Sequence, residues 1–323
     1  MRLIVTCAVG LEDLLRGDLA HDGAQVTVGG EGELVVEGAE PDALRTNPMV
    51  DRVALPWAVG DDLSGAESLC RAGGFEGPIA FRVHERDASR REVLVESVEA
   101  ATGWTNDPSG WQVNLVPQAG RAEIGPLAWA SRFGAMERLP ATTPPAVAAG
   151  VLRLAKLRPG MRLLDPCGGV GTIPIVDALV RPGSGLVVDL STESIELAQN
   201  NIRSFSLEDR VFAEVGDATD LDLADGCVDR VVSDVPFGKK IGSPKANDTL
   251  YPGLVAELAR VLADDGRAIL ITDDKRRFAD VVARNRSLKI VKETPLRYNG
   301  VTPTAFSISR VRARRRPTLP SAG

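Results

Sequence analysis

Apolar and polar positions along the 323-residue chain follow two different rhythms. In the first part the apolar runs are short and interrupted. Leu3–Thr6 reads as a strand, and after a turn at Gly10 the residues Leu11, Leu14, Leu15 and Leu19 fall on one face of a helix. Val26–Val28 and Leu34–Val36 read as strands on either side of a Gly29-Gly30 turn. A helix-like piece over Ala66–Arg71 precedes strands at Ile79–Val83 and Gln112–Val116, so this part is α+β. Between residues 120 and 145 the period is lost among Pro126, Pro140, Pro144 and Pro145, which reads as a connection.

From Ala146 the alternation becomes regular. A helix over Ala146–Leu157 stops at Arg158-Pro159-Gly160. Strands at Arg162–Leu164, Leu186–Val188, Val211–Val215, Arg230–Ser233 and Ala268–Thr272 then alternate with helices at Ile173–Val180, Thr192–Phe205, Leu250–Leu262 and Phe278–Asn285. Two further strands, Leu288–Glu293 and Ala305–Val311, close the series. Short apolar strands separated by helices predict a mostly parallel sheet covered on both faces, an open doubly wound α/β domain of the Rossmann-like kind. The expected division is an α+β domain over 1–120, a linker over 121–145, the α/β domain over 146–311 and a basic tail over 312–323.

Composition narrows the classes. With 44% apolar and 25% charged residues the chain is neither largely disordered, collagen-like nor a disulfide scaffold. Cys7, Cys70, Cys167 and Cys227 are far apart, so no zinc site is expected. Scattered thiols suit a reducing compartment. No apolar run approaches the ~18 residues of a membrane span, and Leu3–Leu11 is followed by Glu12 and Asp13 without a cleavage site. A cytoplasmic protein without membrane or metal partners is the expectation. Charge is uneven: residues 1–120 hold 9 Arg and no Lys against 20 acidic residues, a net of −11, and the remainder is +5.

Candidate chemistry gathers at four strand ends, which in a doubly wound sheet share one edge. The first is Asp165-Pro166-Cys167-Gly168-Gly169-Val170-Gly171-Thr172, where glycines allow close approach of a ligand and a helix N-terminus favours a carboxylate. It is neither a Walker loop nor G-x-G-x-x-G. The second is Asp189-Leu190, whose acid can accept from ribose hydroxyls. The third is Asp217-Ala218, placed for an adenine amine. Each acid alone is commonly a turn residue or cap, but three in register suit a nucleoside with a carboxylate tail, the composition of S-adenosyl-L-methionine. The fourth is Asp234-Val235-Pro236-Phe237-Gly238 with Lys239-Lys240 behind it. A carboxylate and backbone carbonyls can draw the protons of an aromatic amine and expose its lone pair, while a phenyl ring stacks on the base.

DPCGGVGTIP followed by DVPFGKK resembles the amine-directed class I S-adenosylmethionine-dependent methyltransferases. It is most similar to the THUMP-associated tRNA and rRNA guanine-N2 methyltransferases. The opening TCAVGLEDLL resembles the start of their ferredoxin-like piece, and the approach EIGPLAWASRFGAMERLPATTPPAVAAGVLRLA resembles theirs too. The resemblance implies a class I methyltransferase domain preceded by a ferredoxin-like/THUMP-like RNA-binding domain. It implies that Asp165, Cys167, Gly169, Gly171 and Thr172 serve the methionine end of the cofactor, Asp189 and Leu190 the ribose side, and Asp217 and Ala218 the adenine. Asp234, Pro236 and Phe237 would be catalytic, Lys239 and Lys240 would meet substrate phosphate, and no metal would take part. Val235 in the middle of the fourth motif favours the guanine-type pattern over the adenine and glutamine one.

Two other readings stay open. The acidic first part suits a protein or small-molecule amine as acceptor, and a non-catalytic RNA-binding factor could keep the fold. RNA contact by the first part would rest on a local patch such as Arg82, Arg86, Arg90 and Arg91, and by the tail on Arg310, Arg312, Arg314, Arg315 and Arg316. Trp104, Trp111 and Trp129 read as packing residues, and His21 and His84 receive no catalytic role.

Overall fold

The computed structural model describes residues 1–237 and 246–311. The chain forms two compact units, Met1–Arg153 with Pro295–Thr302, and Leu154–Thr294 with the segment from Pro303.

In the first unit β1 (Arg2–Thr6), α1 (Glu12–His21), β2 (Gln25–Gly30), β3 (Glu33–Glu37), α2 (Pro41–Thr46) and β4 (Arg52–Pro56) come first. They run βαββαβ with antiparallel neighbours in the order β2-β3-β1-β4, a ferredoxin-like arrangement. Then follow α3 (Ser64–Ala72), β5 (Ala80–Val83), α4 (Ala88–Thr102), β6 (Thr105–Asn106), β7 (Val113–Val116), β8 (Arg121–Ile124) and α5 (Pro145–Ala155). All eight strands join one sheet, β2-β3-β1-β4-β8-β7-β5-β6. Leu15, Leu19, Val5, Val36 and Phe81 are fully buried, as the alternation required.

Three local expectations are corrected. The chain reverses at Glu31-Gly32, and Gly29-Gly30 end β2 instead. The stretch 121–145 is more than a connection, because β8 lies at the centre of the sheet between β4 and β7. Its four residues include the buried acid Glu123, which hides the apolar alternation. The 15-residue helix α4 is absent from the periodicity because only Val98 is buried along it, while Val93 is 65% exposed.

In the second unit β9 (Arg162–Asp165), α6 (Thr172–Val180), β10 (Ser184–Asp189), α7 (Thr192–Ser204) and β11 (Val211–Val215) lead to β12 (Val228–Asp234). Next come α8 (Asn247–Val261), β13 (Leu262–Thr272), α9 (Lys275–Arg284), β14 (Leu288–Pro295) and β15 (Thr304–Arg310). The sheet order is β11-β10-β9-β12-β13-β15-β14. The first five of these strands pair in parallel, and β15 runs antiparallel to β13. Parallel strands need both faces covered, and Leu164, Val231, Leu258, Phe278 and Phe306 supply a dry core. Winding reverses between β9 and β12, so their carboxyl ends open the crevice in which such sheets bind ligands.

Candidate active site

Strand β9 drives Leu163 and Leu164 into the core and delivers Asp165 to the crevice edge. The loop beyond it depends on two glycines. Gly169 has φ +52° and Gly171, which caps α6, has φ +83°, conformations that strain any residue with a Cβ. No atom lies within 4 Å of the point where a Cβ on Gly169 would project, so the backbone there faces open space. Its N–H donates to Asp189 Oδ2 at 2.9 Å, and the Ser191 N–H donates to Asp189 Oδ1 at 2.9 Å. The half-buried Asp189 carboxylate therefore ties the ends of β9 and β10 together and keeps further lone pairs for a ligand. Leu190 beside it is 68% exposed.

Of the remaining first-motif residues, Asp165 and Thr172 are buried and Cys167 is half-buried. Asp165 is buried and accepts from the Cys167 N–H at 3.4 Å. Burial pushes its carboxyl up to about 7; the Ser233 hydroxyl and the Cys167 amide pull it back, and Asp234 and Asp189 push it further. Burial likewise raises the Cys167 thiol, helped by the carboxylates of Asp165, Asp189 and Asp217. That thiol is neutral and no nucleophile. Thr172 is buried at the first turn of α6, and its hydroxyl has no hydrogen-bond partner among the described residues.

At the third strand end Asp217 Oδ1 accepts from both the Thr219 N–H at 2.8 Å and the Thr219 hydroxyl at 2.7 Å, a local turn. Ala218 is buried in the core beside this turn. At the fourth, Val235 is buried and its N–H donates to the Ile271 carbonyl at 3.0 Å. Asp234, Pro236 and Phe237 are half-buried around it. Sequence reasoning missed Tyr251 on α8, whose hydroxyl donates to the Pro236 carbonyl at 2.9 Å. Its place in an apolar helical stripe gave no sign of a polar role. Lys239, Lys240 and the tail from residue 312 lie outside the described residues. Arg310 belongs to β15 and its guanidinium donates to the Leu262 and Ala259 carbonyls, so it is not part of a free basic tail.

The first unit has cavities of its own. One of about 640 Å³ is lined by Arg52, Arg82, His84, Trp111, Arg121 and Arg138, among others. Arg82 donates to Asn114 Oδ1 at 2.9 Å and lies 4.5 Å from the centre of the Trp111 ring. Asn114 in turn donates to Glu123 at 2.6 Å, and the same buried carboxylate pairs with Arg52 and Arg121. Trp104 and Trp129 are packing residues as expected, whereas Trp111 is half-buried and stacked. Of the expected patch, Arg82, Arg86 and Arg91 line a second cavity of about 790 Å³ where β5 leads into α4. Among the described residues no cluster of His, Cys, Asp and Glu could hold a metal ion, and no helix is long and apolar enough to cross a membrane.

The strand order, the antiparallel β15 and the loop-and-turn pair at the switch point define the second unit as a class I methyltransferase fold. Residues 136–303 match the RMKL-like methyltransferase domain family, and the chain belongs to that family. Over 159 residues, 45% of this chain, it is 35% identical to the bovine (Bos taurus) tRNA (guanine(6)-N(2))-methyltransferase THUMP3. It is 22% identical over 201 residues to the tRNA (guanine(6)-N2)-methyltransferase of Methanocaldococcus jannaschii, covering 50% of this chain. The matched lengths are 31% of the bovine protein and 52% of the archaeal one. Among solved structures, TrmN from Thermus thermophilus superposes with a TM-score of 0.68 at 22% identity, over 96% of this chain and 99% of that one. SMU.472, solved with SAH, gives 0.66 at 16% identity over 97% and 99%.

Proposed function

We propose that this protein transfers a methyl group from S-adenosyl-L-methionine to the exocyclic N2 amine of a guanosine in RNA, with tRNA as the acceptor. The observation that carries the reading is the Asp234–Phe237 turn at the end of β12, next to the glycine loop at the end of β9, in a methyltransferase-family sheet whose match spans both. Relatives named for guanine-N2 transfer to tRNA support the acceptor.

The loop fits the cofactor: open space over Gly169, spare lone pairs on Asp189, the exposed Leu190 side chain and the Thr172 hydroxyl, which has no partner among the described residues, suit an adenosine with a charged tail. Bound there, it supplies an electrophilic methyl on a sulfonium. Asp189 would hold the ribose, Gly169 the close approach of the backbone, and Asp217-Ala218 the adenine edge. The Asp234 carboxylate accepts an N–H of the target amine and turns its lone pair outward; Phe237 stacks on the base; Pro236 fixes the backbone between them. Alignment, with no covalent intermediate, provides the acceleration. Lys239 and Lys240 follow in sequence and supply charge for a phosphate.

For RNA as the partner, the support is the cavity in the first unit. Its lining brings Arg82, stacked on Trp111, and Arg138 together with Arg52 and Arg121, the latter two paired with Glu123, and phosphate contacts need cations. The acidity of residues 1–120 favours the second reading, a protein or small-molecule amine acceptor. Four free thiols and an RNA acceptor support a cytoplasmic location.

The test is tritiated S-adenosylmethionine with total RNA from a host lacking the gene, followed by nucleoside mass spectrometry. Label in N2-methylguanosine from the tRNA fraction supports the reading. Label absent from RNA despite measurable cofactor binding refutes it in favour of the other acceptors. Asp234→Ala should abolish transfer and leave cofactor binding intact; equal loss of both would count against its assigned role.

A further inference from the structure

Tyr251 is fully buried on α8 and stacks edge-on against Phe278, with ring centres 5.3 Å apart. Its hydroxyl meets three polar atoms: the Pro236 carbonyl at 2.9 Å, the Thr272 hydroxyl at 2.8 Å and Asn247 Nδ2 at 3.1 Å. A carbonyl carries no proton, so the single phenolic proton must go to Pro236. Asn247 Nδ2 can only donate. The Thr272 hydroxyl is left to donate to Tyr251 as well, and it accepts in turn from the Asp274 N–H at 3.0 Å. Proton positions are thereby fixed in one direction, from Asp274 through Thr272 and Tyr251 to Pro236. Bonds aligned head to tail in a low-dielectric interior reinforce one another. Burial pushes the phenol up to about 12, which keeps its proton in place.

The consequence falls on the turn. Val235 is held by its N–H to Ile271, a sheet bond, and Pro236 by its carbonyl to Tyr251. The two anchors grip adjacent residues, and the proline ring removes a torsion between them. The Pro236 carbonyl is held by the interior tyrosine, and the Asp234 carboxylate remains the acceptor proposed for the target amine. Phe237 continues directly from the fixed peptide.

We infer that Tyr251 is a positioning residue for methyl transfer, holding the Pro236 peptide so that Asp234 and Phe237 face the acceptor base. This rests on the proposed function, and two readouts separate the two. The first compares Tyr251→Phe with Val255→Ala, a buried change on the same helix that leaves the hydroxyl alone, in the full chain. With saturating cofactor and RNA, Tyr251→Phe should lower the single-turnover transfer rate about 10- to 100-fold, the scale of a misplacement near 1 Å. Its cofactor affinity should stay within about twofold, and Val255→Ala should keep its rate within about threefold. The second readout is amide exchange by NMR at Val235, whose N–H donates to Ile271, and it needs no acceptor: it should quicken at least about tenfold in Tyr251→Phe alone, as loss of the neighbouring anchor allows. Equal rate losses in both variants, or unchanged Val235 exchange in Tyr251→Phe, would overturn the inference. Wild-type protein inactive on every RNA would count against the proposed function only, and the exchange comparison would still decide the role of Tyr251.

Discussion

Replacing Asp165 by Asn should make the second unit more stable at pH 8 and leave it unchanged near pH 4. The Asp165 carboxyl is buried at the crevice edge and is raised from 3.8 to about 7, chiefly by desolvation, with Asp234 and Asp189 adding repulsion. An acid raised in the folded state holds a proton there that the unfolded chain releases. The contribution of Asp165 to wild-type stability therefore falls as pH rises from about 4 to about 7 and is level on either side of that window. The span of about 3 pH units corresponds to about 4 kcal/mol at ~1.4 kcal/mol per unit. Asparagine has the same shape, can accept from the Cys167 N–H through its oxygen and can turn its amide protons toward the neighbouring carboxylates, so it removes the charge and little else. Calorimetric or denaturant unfolding of both proteins at pH 4, 6 and 8 measures the difference. A gain of several kcal/mol at pH 8 that shrinks through pH 6 and vanishes near pH 4 is the expected result. A gain independent of pH, or a loss at pH 8, would refute the reasoning.

Gly171→Ala forces a Cβ into a left-handed conformation at φ +83°, which should cost about 1–2 kcal/mol and weaken cofactor binding, read by calorimetry on the free protein and on the titrated one. Phe278→Ala empties a fully buried site between Tyr251 and Phe306 and should destabilise the second unit by about 3–5 kcal/mol in a denaturant titration. Arg82→Ala should weaken RNA binding and lower the slope of log K against log salt by about 1, with cofactor affinity unchanged; an unaltered slope would remove this cavity from the RNA path.

Periodicity was enough to place the strands and helices from Ala146 onward to within about three residues, because both faces of a parallel sheet are buried and its strands must read as apolar runs. The exception is β13, which begins at Leu262 instead of the expected Ala268 because the residues that follow, Ala263-Asp264-Asp265-Gly266, carry no apolar run. It also put the Asp165–Thr172 loop, Asp189, Asp217 and Asp234 on one edge, since in such a sheet every parallel strand ends on the same side. In the first unit the pattern was weaker. β8 carries a buried glutamate whose charge is balanced by Arg52 and Arg121 from other parts of the sheet, and α4 buries one residue, so neither follows a simple alternation. Tertiary structure alone decided three things at the sites. It showed that both oxygens of Asp189 already hold backbone N–H groups, that Asp217 caps its own turn, and that a buried tyrosine 15 residues beyond Pro236 grips its carbonyl. Sequence spacing fixes which residues a strand delivers to an edge. Which hydrogen bond each side chain completes depends on the folded backbone, and two of these partners, Gly169 for Asp189 and Pro236 for Tyr251, are 20 and 15 residues away in the chain and are brought in only by packing.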